Sequence, residues 1–289
     1  MRDLAGISSR TRLCAVIGNP LGHSLSPAIH NTAFDVLGLD FVYLAFQVER
    51  PDPVLAAMRG IEAFTGLSVT IPHKIAVLSL VDEVDEMDRR IGAINTVVKE
   101  NGRLVGFGTD GPGALRALRD AGVELRDRRI LMLGAGGAAR AIAFALAWRA
   151  APREIVLLDI DAALLDRLAG DLRRDARTEV VAEPLSDEAV ARRVPAADVL
   201  IQCTPVGMHP KVDATLVPPG LFRSGQVVFD IVYNPRRTRL LREAADCGLR
   251  VVEGIEMFVA QAVLQFERFT GRQAPADAMR RVVLEHLAR

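Results

Sequence analysis

RILMLGAGGAARAIAFALAWR, residues 129–149, runs from a short apolar strand through a glycine-rich turn into an alanine-rich helix. The turn fits the pattern G-x-G-x-x-A and consists of Gly134, Ala135, Gly136, Gly137, Ala138 and Ala139. In this pattern the first glycine permits a tight turn, the second lets a pyrophosphate approach the backbone, and the final small residue keeps helix and strand close. Free N–H groups at the helix start favour an anion. Because the turn lies between a strand and a helix, it predicts a Rossmann unit that binds a dinucleotide.

Asp159 follows the second predicted strand of this unit, at 154–158. A carboxylate about 20 residues beyond the glycine loop can accept a hydrogen bond from a ribose hydroxyl. Asp159 could instead cap the next helix, although Asp161 is better placed for that role. We expect Asp159 to bind the ribose, and residues 160–163 include no basic side chain for a 2′-phosphate. NAD is therefore the predicted cofactor, with NADP as the alternative.

Apolar runs of strand length alternate with helical patterns along the chain, which indicates an α/β fold built from βαβ units. Strands are predicted near residues 12–18, 41–48, 66–70, 94–99, 129–133, 154–158, 178–182, 198–202 and 226–230. Helices are predicted near residues 27–38, 52–60, 73–90, 255–270 and 275–287. Asn101-Gly102 favours a type I′ turn and predicts a hairpin over 97–105. Hinges between two domains are expected at 106–111 and 250–255.

The composition limits the classes of partner. The 289 residues include 36 basic and 36 acidic side chains, so the formal net charge is zero. A neutral chain has no broad attraction for nucleic acid or an anionic membrane, so neither is expected, and an anionic substrate must be held by local groups. Three well-separated cysteines and an N-terminal segment without a signal-peptide core predict a reduced, cytoplasmic protein. His23, His30 and His73 show no metal-ligand spacing, and no metal is expected.

Lys74 stands two residues after Pro72, where a predicted strand is followed by a predicted helix. Proline is tolerated at a helix start, so Lys74 is expected in the first helical turn. The helix dipole is positive at that end, which makes it a poor place for a merely structural cation. Lys74 is therefore a candidate for proton transfer, the alternative being a solvated surface lysine.

Three further polar residues are predicted at helix starts. Asp110 precedes a run of turn residues and is expected to be an N-cap, from which it could pair with a cation. Asp110 and Lys74 would together make a proton-transfer pair. Ser26 is expected to cap the helix that begins near Pro27, but Ser24 and Ser26 could equally hold a carboxylate group.

Eight segments, taken together and in their order, resemble the shikimate dehydrogenase family, including its quinate/shikimate branch. They are GNPLGHSLSP at 18–27, VTIPHK at 69–74, GAINT at 92–96, GTDG at 108–111, GAGGAA at 134–139, CTPVGM at 203–208, DIVYNP at 230–235 and MFVAQ at 257–261. The resemblance extends from about Val16 to Phe266, which is nearly the whole chain.

The resemblance implies an α/β fold in which a Rossmann doubly wound parallel sheet is joined to an α/β substrate-binding domain. The substrate-binding domain would occupy 1–108, the Rossmann domain 109–251, and C-terminal helices over 252–289 would return to the first domain. Lys74 and Asp110 are the implied catalytic pair. The residues implied to hold the substrate are Ser24 and Ser26 at its carboxylate, Thr70, Lys74, Asn95, Asp110 and Gln261 at its ring, and Tyr233 lining the site. Besides the glycine loop and Asp159, the cofactor would contact Thr204, Pro205, Ile231, Gly254 and Met257.

The implied reaction is reversible hydride transfer between NAD(P) and C3 of a cyclohexene carboxylate, which interconverts 3-dehydroshikimate and shikimate in the chorismate pathway of aromatic amino acid biosynthesis. A monomer or a homodimer is expected. The alternatives are a dehydrogenase directed at quinate or an aminoshikimate, and a ligand sensor without turnover. Two departures from the family matter: Gly108 stands where the family usually has Asn, and Asp159-Ile160-Asp161 stands where NADP-dependent members usually have Asn-Arg-Thr.

Overall fold

The computed structural model describes residues 7–22, 24–175 and 177–288. The chain divides into two compact units, which are described separately. The first contains the chain up to Thr109 and again from Val259, and the second contains Asp110–Phe258. The second division lies inside a helix, later than the expected boundary between 251 and 252. Within the described ranges, no helix is both long and apolar enough to cross a bilayer.

Strands and helices alternate along most of the chain, as the patterns predict. The strands are β1 (Arg12–Gly18), β2 (Phe41–Gln47), β3 (Phe64–Val69), β4 (Glu83–Val84), β5 (Thr96–Glu100), β6 (Arg103–Phe107), β7 (Arg129–Leu133), β8 (Glu154–Asp159), β9 (Glu179–Pro184), β10 (Val199–Gln202), β11 (Val227–Asp230) and β12 (Arg250–Val252). The helices are α1 (Ser26–Val36), α2 (Asp52–Gly60), α3 (Glu86–Ile91), α4 (Asp110–Asp120), α5 (Gly137–Ala145), α6 (Ala162–Asp175), α7 (Asp187–Arg193), α8 (Arg239–Asp246), α9 (Gly254–Thr270) and α10 (Ala276–Leu287).

The first unit is built on a six-stranded sheet in the order β2-β1-β3-β5-β6-β4. β1 runs parallel to β2 and β3, whereas β5 is antiparallel to β3 and β6. Asn101 and Gly102 join β5 to β6 with φ values of 51° and 79°, as a type I′ turn requires. The predicted hairpin is confirmed.

The predicted helix over 73–90 is wrong. A short 3₁₀ turn occupies Ala76–Ser79, β4 follows it, and only Glu86–Ile91 is α-helical. The cause is tertiary: Asp82 N–H donates to the Leu104 carbonyl at 2.8 Å, and Leu104 N–H donates to the Asp82 carboxylate at 2.7 Å. These two bonds hold the segment against β6, so sheet pairing overrides the helical propensity of the sequence.

The second unit is an all-parallel sheet in the order β12-β11-β10-β7-β8-β9. This is the doubly wound Rossmann order, in which the first strand lies at the centre and the chain winds outward in both directions. The central strands are apolar on both faces: Ile130, Leu131, Met132 and Leu133 are all fully buried. Such a run is typical of a strand covered by helices on both sides. β12 was not predicted, because its three residues lie in a segment expected to be a hinge.

Candidate active site

The glycine loop forms the turn between β7 and α5. Gly134 has a φ of 107°, a conformation that side-chain-bearing residues rarely adopt. A Cβ atom there would lie 3.2 Å from the Thr204 backbone nitrogen, so the loop passes close to the end of β10. Gly134 N–H donates to the Leu158 carbonyl at 2.7 Å, which fixes the turn against β8. The positive φ therefore favours glycine at this position, and the space for a side chain is tight.

The next part of the loop is open where an anion would bind. Gly136 is the N-cap residue of α5, and no side chain makes a capping hydrogen bond to it in the described chain. A Cβ on Gly136 or Gly137 would meet no described atom within 4 Å. Ala139 is fully buried and packs the helix on the sheet. A helix start with accessible N–H groups and no blocking side chain is suited to a pyrophosphate.

Asp159 lies at the end of β8 and is bonded to the glycine loop. Its carboxylate accepts the Ala135 N–H at 2.5 Å and the Asp161 N–H at 2.8 Å. Asp161 is the cap of α6, because its carboxylate accepts the N–H groups of Ala163 at 2.9 Å and Leu164 at 3.0 Å. The expectation that Asp161 is the better cap is confirmed. A carboxylate can accept about four hydrogen bonds, so Asp159 keeps capacity for ribose hydroxyls.

Asp110 is the first residue of α4, within one residue of the predicted N-cap position. α4 packs closely on α5, since a Cβ on Gly111 would lie 2.5 Å from the Ala141 carbonyl oxygen. The glycine after Asp110 is therefore needed for helix packing. This close packing holds the Asp110 backbone beside α5, the helix that follows the glycine loop.

The other predicted cofactor residues of the second unit lie just beyond the carboxyl ends of strands. Thr204 and Pro205 follow β10, and Ile231 follows β11, where its N–H donates to the Gln202 carbonyl at 3.1 Å. Gly254 and Met257 lie in the first turn of α9. A Cβ on Gly254 would overlap the Ile231 carbonyl, so glycine permits this close approach. Ligands of open α/β sheets bind at this edge.

Tyr233 lies on the segment after β11 and stacks on Phe258, with ring centroids 4.5 Å apart and ring planes 12° apart. Burial raises the pKa of its hydroxyl, so Tyr233 stays protonated at neutral pH. It can therefore offer a hydrogen-bond donor together with a flat apolar face.

In the first unit, Ser24 and Ser26 lie at the start of α1, but Ser26 is not its cap. α1 begins at Ser26 itself, and the preceding Leu25 makes no side-chain capping bond. The Ser26 N–H instead donates to the Ser24 hydroxyl at 3.4 Å. The predicted capping role of Ser26 is wrong, and both hydroxyls are half-buried beside a helix start.

Lys74 does not lie in a regular helix. A single helical hydrogen bond, from the Val77 N–H to the His73 carbonyl at 3.0 Å, encloses it, and the 3₁₀ turn begins only at Ala76. One isolated turn lacks the aligned peptide dipoles of a helix, so the expected placement of Lys74 at a helix N-terminus is wrong. Its backbone carbonyl accepts the Ile94 N–H at 3.0 Å, which fixes the segment beside the GAINT motif. Thr70 anchors the other side of this turn, where its carbonyl accepts the His73 N–H at 2.9 Å. Both side chains are half-buried.

Asn95 is a buried organiser of the first unit. Its side-chain oxygen accepts the Thr109 N–H at 2.9 Å, and its amide nitrogen donates to the Thr109 hydroxyl at 3.0 Å. The Thr96 hydroxyl donates to the same oxygen at 3.0 Å. Asn95 therefore fixes the residue that directly precedes Asp110.

A chain of buried hydrogen bonds, which the sequence did not reveal, leads to Asn95. The Tyr43 hydroxyl donates to Ser68 at 2.6 Å, and Ser68 donates to the Gln265 side-chain oxygen at 2.8 Å. The Gln265 amide then donates to the Asn95 carbonyl and the Thr96 hydroxyl, both at 3.1 Å. Ser68 and Gln265 each stand inside an apolar run. Isolated polar residues in such runs were the signal that could have indicated them.

The histidines do not form a metal site in the described part of the chain, where no group of three ligand side chains is gathered. His30 stacks on Tyr43 at 4.4 Å, and burial lowers its pKa to about 3, so it is neutral. His73 is bonded to the Val48 carbonyl through Nε2 at 2.8 Å. His23 lies outside the described residues.

Two family models match this chain. The shikimate dehydrogenase substrate binding domain matches residues 16–97, and the shikimate 5′-dehydrogenase C-terminal domain matches residues 254–284. A shikimate dehydrogenase (NADP(+)) from Methanopyrus kandleri is 45% identical over 285 residues, which cover 97% of this chain and 98% of that protein.

Solved structures agree with this match. Shikimate 5-dehydrogenase from Listeria monocytogenes, in complex with shikimate and NAD, has a TM-score of 0.90 at 32% identity, covering 96% of this chain and 98% of that one. Quinate dehydrogenase from Corynebacterium glutamicum, in complex with NAD, has a TM-score of 0.88 at 30% identity, covering 95% of this chain and 99% of that one.

Proposed function

The chain belongs to the shikimate dehydrogenase family, and we propose that it catalyses reversible hydride transfer between a nicotinamide cofactor and C3 of 3-dehydroshikimate or shikimate. The observation that carries the proposal is the open glycine loop with the Asp159 carboxylate bonded to its backbone. That arrangement offers both groups that a dinucleotide needs, namely N–H donors for its pyrophosphate and an acceptor for its ribose.

The residues of the second unit fit such a cofactor. The backbone of the open glycine loop would hold the pyrophosphate, and Asp159 would accept hydrogen bonds from the ribose hydroxyls. The rest of the cofactor would contact five further residues, namely Thr204, Pro205, Ile231, Gly254 and Met257. When bound, the cofactor supplies or accepts the hydride at its nicotinamide ring. The protein's part is to align the substrate, exclude water and move the proton.

We assign the proton transfer to Lys74 and Asp110. The ammonium group of Lys74 donates a proton to the alkoxide oxygen that develops as the C3 carbonyl is reduced, and takes it back in the reverse direction. Asp110 accepts a hydrogen bond from a ring hydroxyl of the substrate. The hydride from the cofactor and the proton from Lys74 together convert the ketone to an alcohol.

The remaining polar residues are assigned to substrate binding. Ser24 and Ser26 hold the carboxylate, because a neutral protein must bind an anion with local donors. Thr70, Asn95 and Gln261 hold the ring hydroxyls, and Tyr233 lines the site. The side-chain bonds of Asn95 to Thr109 and Thr96 support this assignment, since they fix the orientation of the Asn95 amide group.

The test of this proposal is the appearance of reduced cofactor. When shikimate is mixed with the protein and NAD or NADP, absorbance at the nicotinamide band should rise. A non-catalytic sensor would bind shikimate, seen by calorimetry, without that rise. Turnover on shikimate, quinate and an aminoshikimate shows at which of these three substrates the dehydrogenase is directed. No turnover on any of them would overturn the proposal.

We further infer that NAD is preferred over NADP. The Methanopyrus relative is named for NADP(+), so this inference rests on the residues of this chain. Asp159 would meet a 2′-phosphate carrying nearly two negative charges. Arg140, a candidate to neutralise it, is instead paired with Asp171 at 2.7 Å and lies over the Phe144 ring. The contact costs on the order of a few kcal/mol before screening, enough for ~10- to 1000-fold discrimination.

Asp159→Ser tests the inference on cofactor preference. Loss of the carboxylate should narrow the ratio of kcat/KM for NAD over NADP, because the repulsion is removed while the glycine loop is kept. Asp161→Ser is the matched control, since it removes the neighbouring carboxylate that caps α6 and should leave most of the ratio intact. Equal wild-type values for both cofactors, or a preference for NADP, would contradict the inference.

A further inference from the structure

Gly108 lies against a buried carboxylate of another element. Its N–H donates to Asp88 Oδ2 at 2.8 Å, and a Cβ on Gly108 would overlap Asp88 Oδ1. Asp88 is 5% exposed and lies on α3. The backbone at Gly108 lies outside the left-handed region, so its conformation would accept a side chain. A side chain at this position would have to displace the Asp88 carboxylate, which occupies the space.

The residue after Gly108 is held in the same way. The Thr109 N–H donates to the side-chain oxygen of Asn95 at 2.9 Å. Two consecutive backbone N–H groups are thus bonded to two buried side chains from different parts of the sequence. The next residue is Asp110. The backbone that leads into Asp110 is therefore fixed by side chains and not by a strand or helix of its own.

We propose that Asp88 is a positioning residue for Asp110, because its carboxylate fixes the Gly108 backbone two residues before Asp110. The proposal rests on the proposed function, in which Asp110 contacts the substrate. The polar group that fixes this segment comes from α3, and Gly108 makes room for it.

A purely local role for Asp88 would look different. Asp88 is the third residue of α3, and its own N–H donates to the Asp85 side chain at 2.7 Å, which is the ordinary capping bond. An acidic residue at this position commonly bonds back to the cap residue's N–H. Asp88 Oδ2 also accepts a backbone N–H that lies 20 residues away in sequence, which a capping role within α3 does not require.

The experiment is a double-mutant cycle on positions 88 and 108, read as kcat for shikimate oxidation and as thermal unfolding. Asp88→Ala should lower kcat by ~10- to 100-fold, the size expected when a hydrogen bond to a charged group is lost. KM for the cofactor should hardly change. Gly108→Asn alone should also lower kcat, because its side chain overlaps Asp88. The kcat of the double variant should be at least ~10-fold higher than the value expected if the two single losses simply multiplied.

Two further variants separate positioning from general stability. Asp88→Asn keeps a side-chain oxygen for the Gly108 N–H and should restore most of kcat. Asp85→Ala removes the cap of α3 and should lower the unfolding temperature while kcat stays near the wild-type value. Independent effects of the two single variants, or an Asp85→Ala loss in kcat equal to that of Asp88→Ala, would overturn the proposal. An inactive wild-type protein would overturn the proposed function and positioning together, whereas activity with an additive cycle overturns positioning alone.

Discussion

At the scale of single residues, Lys74 carries the sharpest prediction. Lys74→Ala should lower kcat by about 10²- to 10⁴-fold, the usual contribution of a positioned acid–base group. Shikimate affinity should change less, because the proton moves only in the transition state. Lys99→Ala is the matched control, since the Lys99 ammonium donates to the Met58 carbonyl at 2.9 Å and Lys99 is not one of the proposed site residues. Near-full kcat in Lys74→Ala would remove the assignment.

Ser24 and Ser26 carry a prediction about binding. Replacement of either serine by alanine should cost roughly 1.5–3 kcal/mol, the value for a hydrogen bond to a charged group. The cost should appear mainly as a higher KM for shikimate. Ser79→Ala is a suitable control, because its hydroxyl only donates to the Ala76 carbonyl. If the double alanine variant keeps the wild-type KM, the carboxylate is held elsewhere.

Residue roles could be predicted where they depend on local position. Asp161 was identified as the cap of α6 because it directly precedes a helical pattern. The role of Asp88 and the hydrogen bonds from Tyr43 to Gln265 could not be predicted. Each depends on a partner that is distant in sequence and is brought close only by folding. Ser68 and Gln265, for example, are 197 residues apart in sequence. No local pattern encodes such a pairing.

At the scale of elements, the segment between β11 and α8 is held at both ends by one buried carboxylate. Asp230 accepts the Val232 N–H at 3.0 Å and the Thr238 hydroxyl at 2.6 Å. Thr238 in turn caps α8 through the Leu241 N–H. The segment between them carries Ile231 and Tyr233. Asp230 therefore fixes the segment that carries two proposed site residues.

Asp230 also predicts a pH dependence of stability. Burial raises its pKa from 3.8 to about 6, so the folded state binds this proton more tightly than the unfolded state. Its contribution to stability is complete below about pH 4 and is lost as pH rises to about 6. The loss is roughly 3 kcal/mol, and stability should not change further from this group above that pH.

Urea unfolding of wild type and Asp230→Asn at several pH values measures this effect. The difference in unfolding free energy between them should change by roughly 3 kcal/mol between pH 4 and pH 7. Thr238→Val removes a hydrogen bond that favours the charged Asp230 carboxylate. The pH range over which the contribution of Asp230 to stability is lost should therefore extend to higher pH. Parallel wild-type and Asp230→Asn curves would show that Asp230 does not titrate in this range.

Element types were predicted well where the hydrophobic pattern decides them. The strands of the second unit are short apolar runs, and the hairpin turn at Asn101-Gly102 has one strongly favoured geometry. The segment 73–90 was mistaken for a helix because its residues favour helix, whereas Asp82 and Leu104 pair it with β6. β12 has only three residues, too few for a pattern to be recognised.

At the scale of the whole molecule, the order β12-β11-β10-β7-β8-β9 places the proposed cofactor residues that follow its strands at one edge of the sheet. In a parallel sheet, all strands end at the same edge, so the segments after β7, β8, β10 and β11 all begin there. The neutral net charge means that neither cofactor nor substrate is attracted by a broad field. Recognition must therefore come from the named local groups.

The proposed function is tested most sharply by measuring kcat/KM for shikimate and quinate, each with NAD and NADP, at one pH and ionic strength. We expect shikimate with NAD to give the highest value, ~10- to 1000-fold above shikimate with NADP. Quinate should be the poorer substrate with either cofactor. No turnover in any of the four combinations would show that the protein is not a shikimate or quinate dehydrogenase.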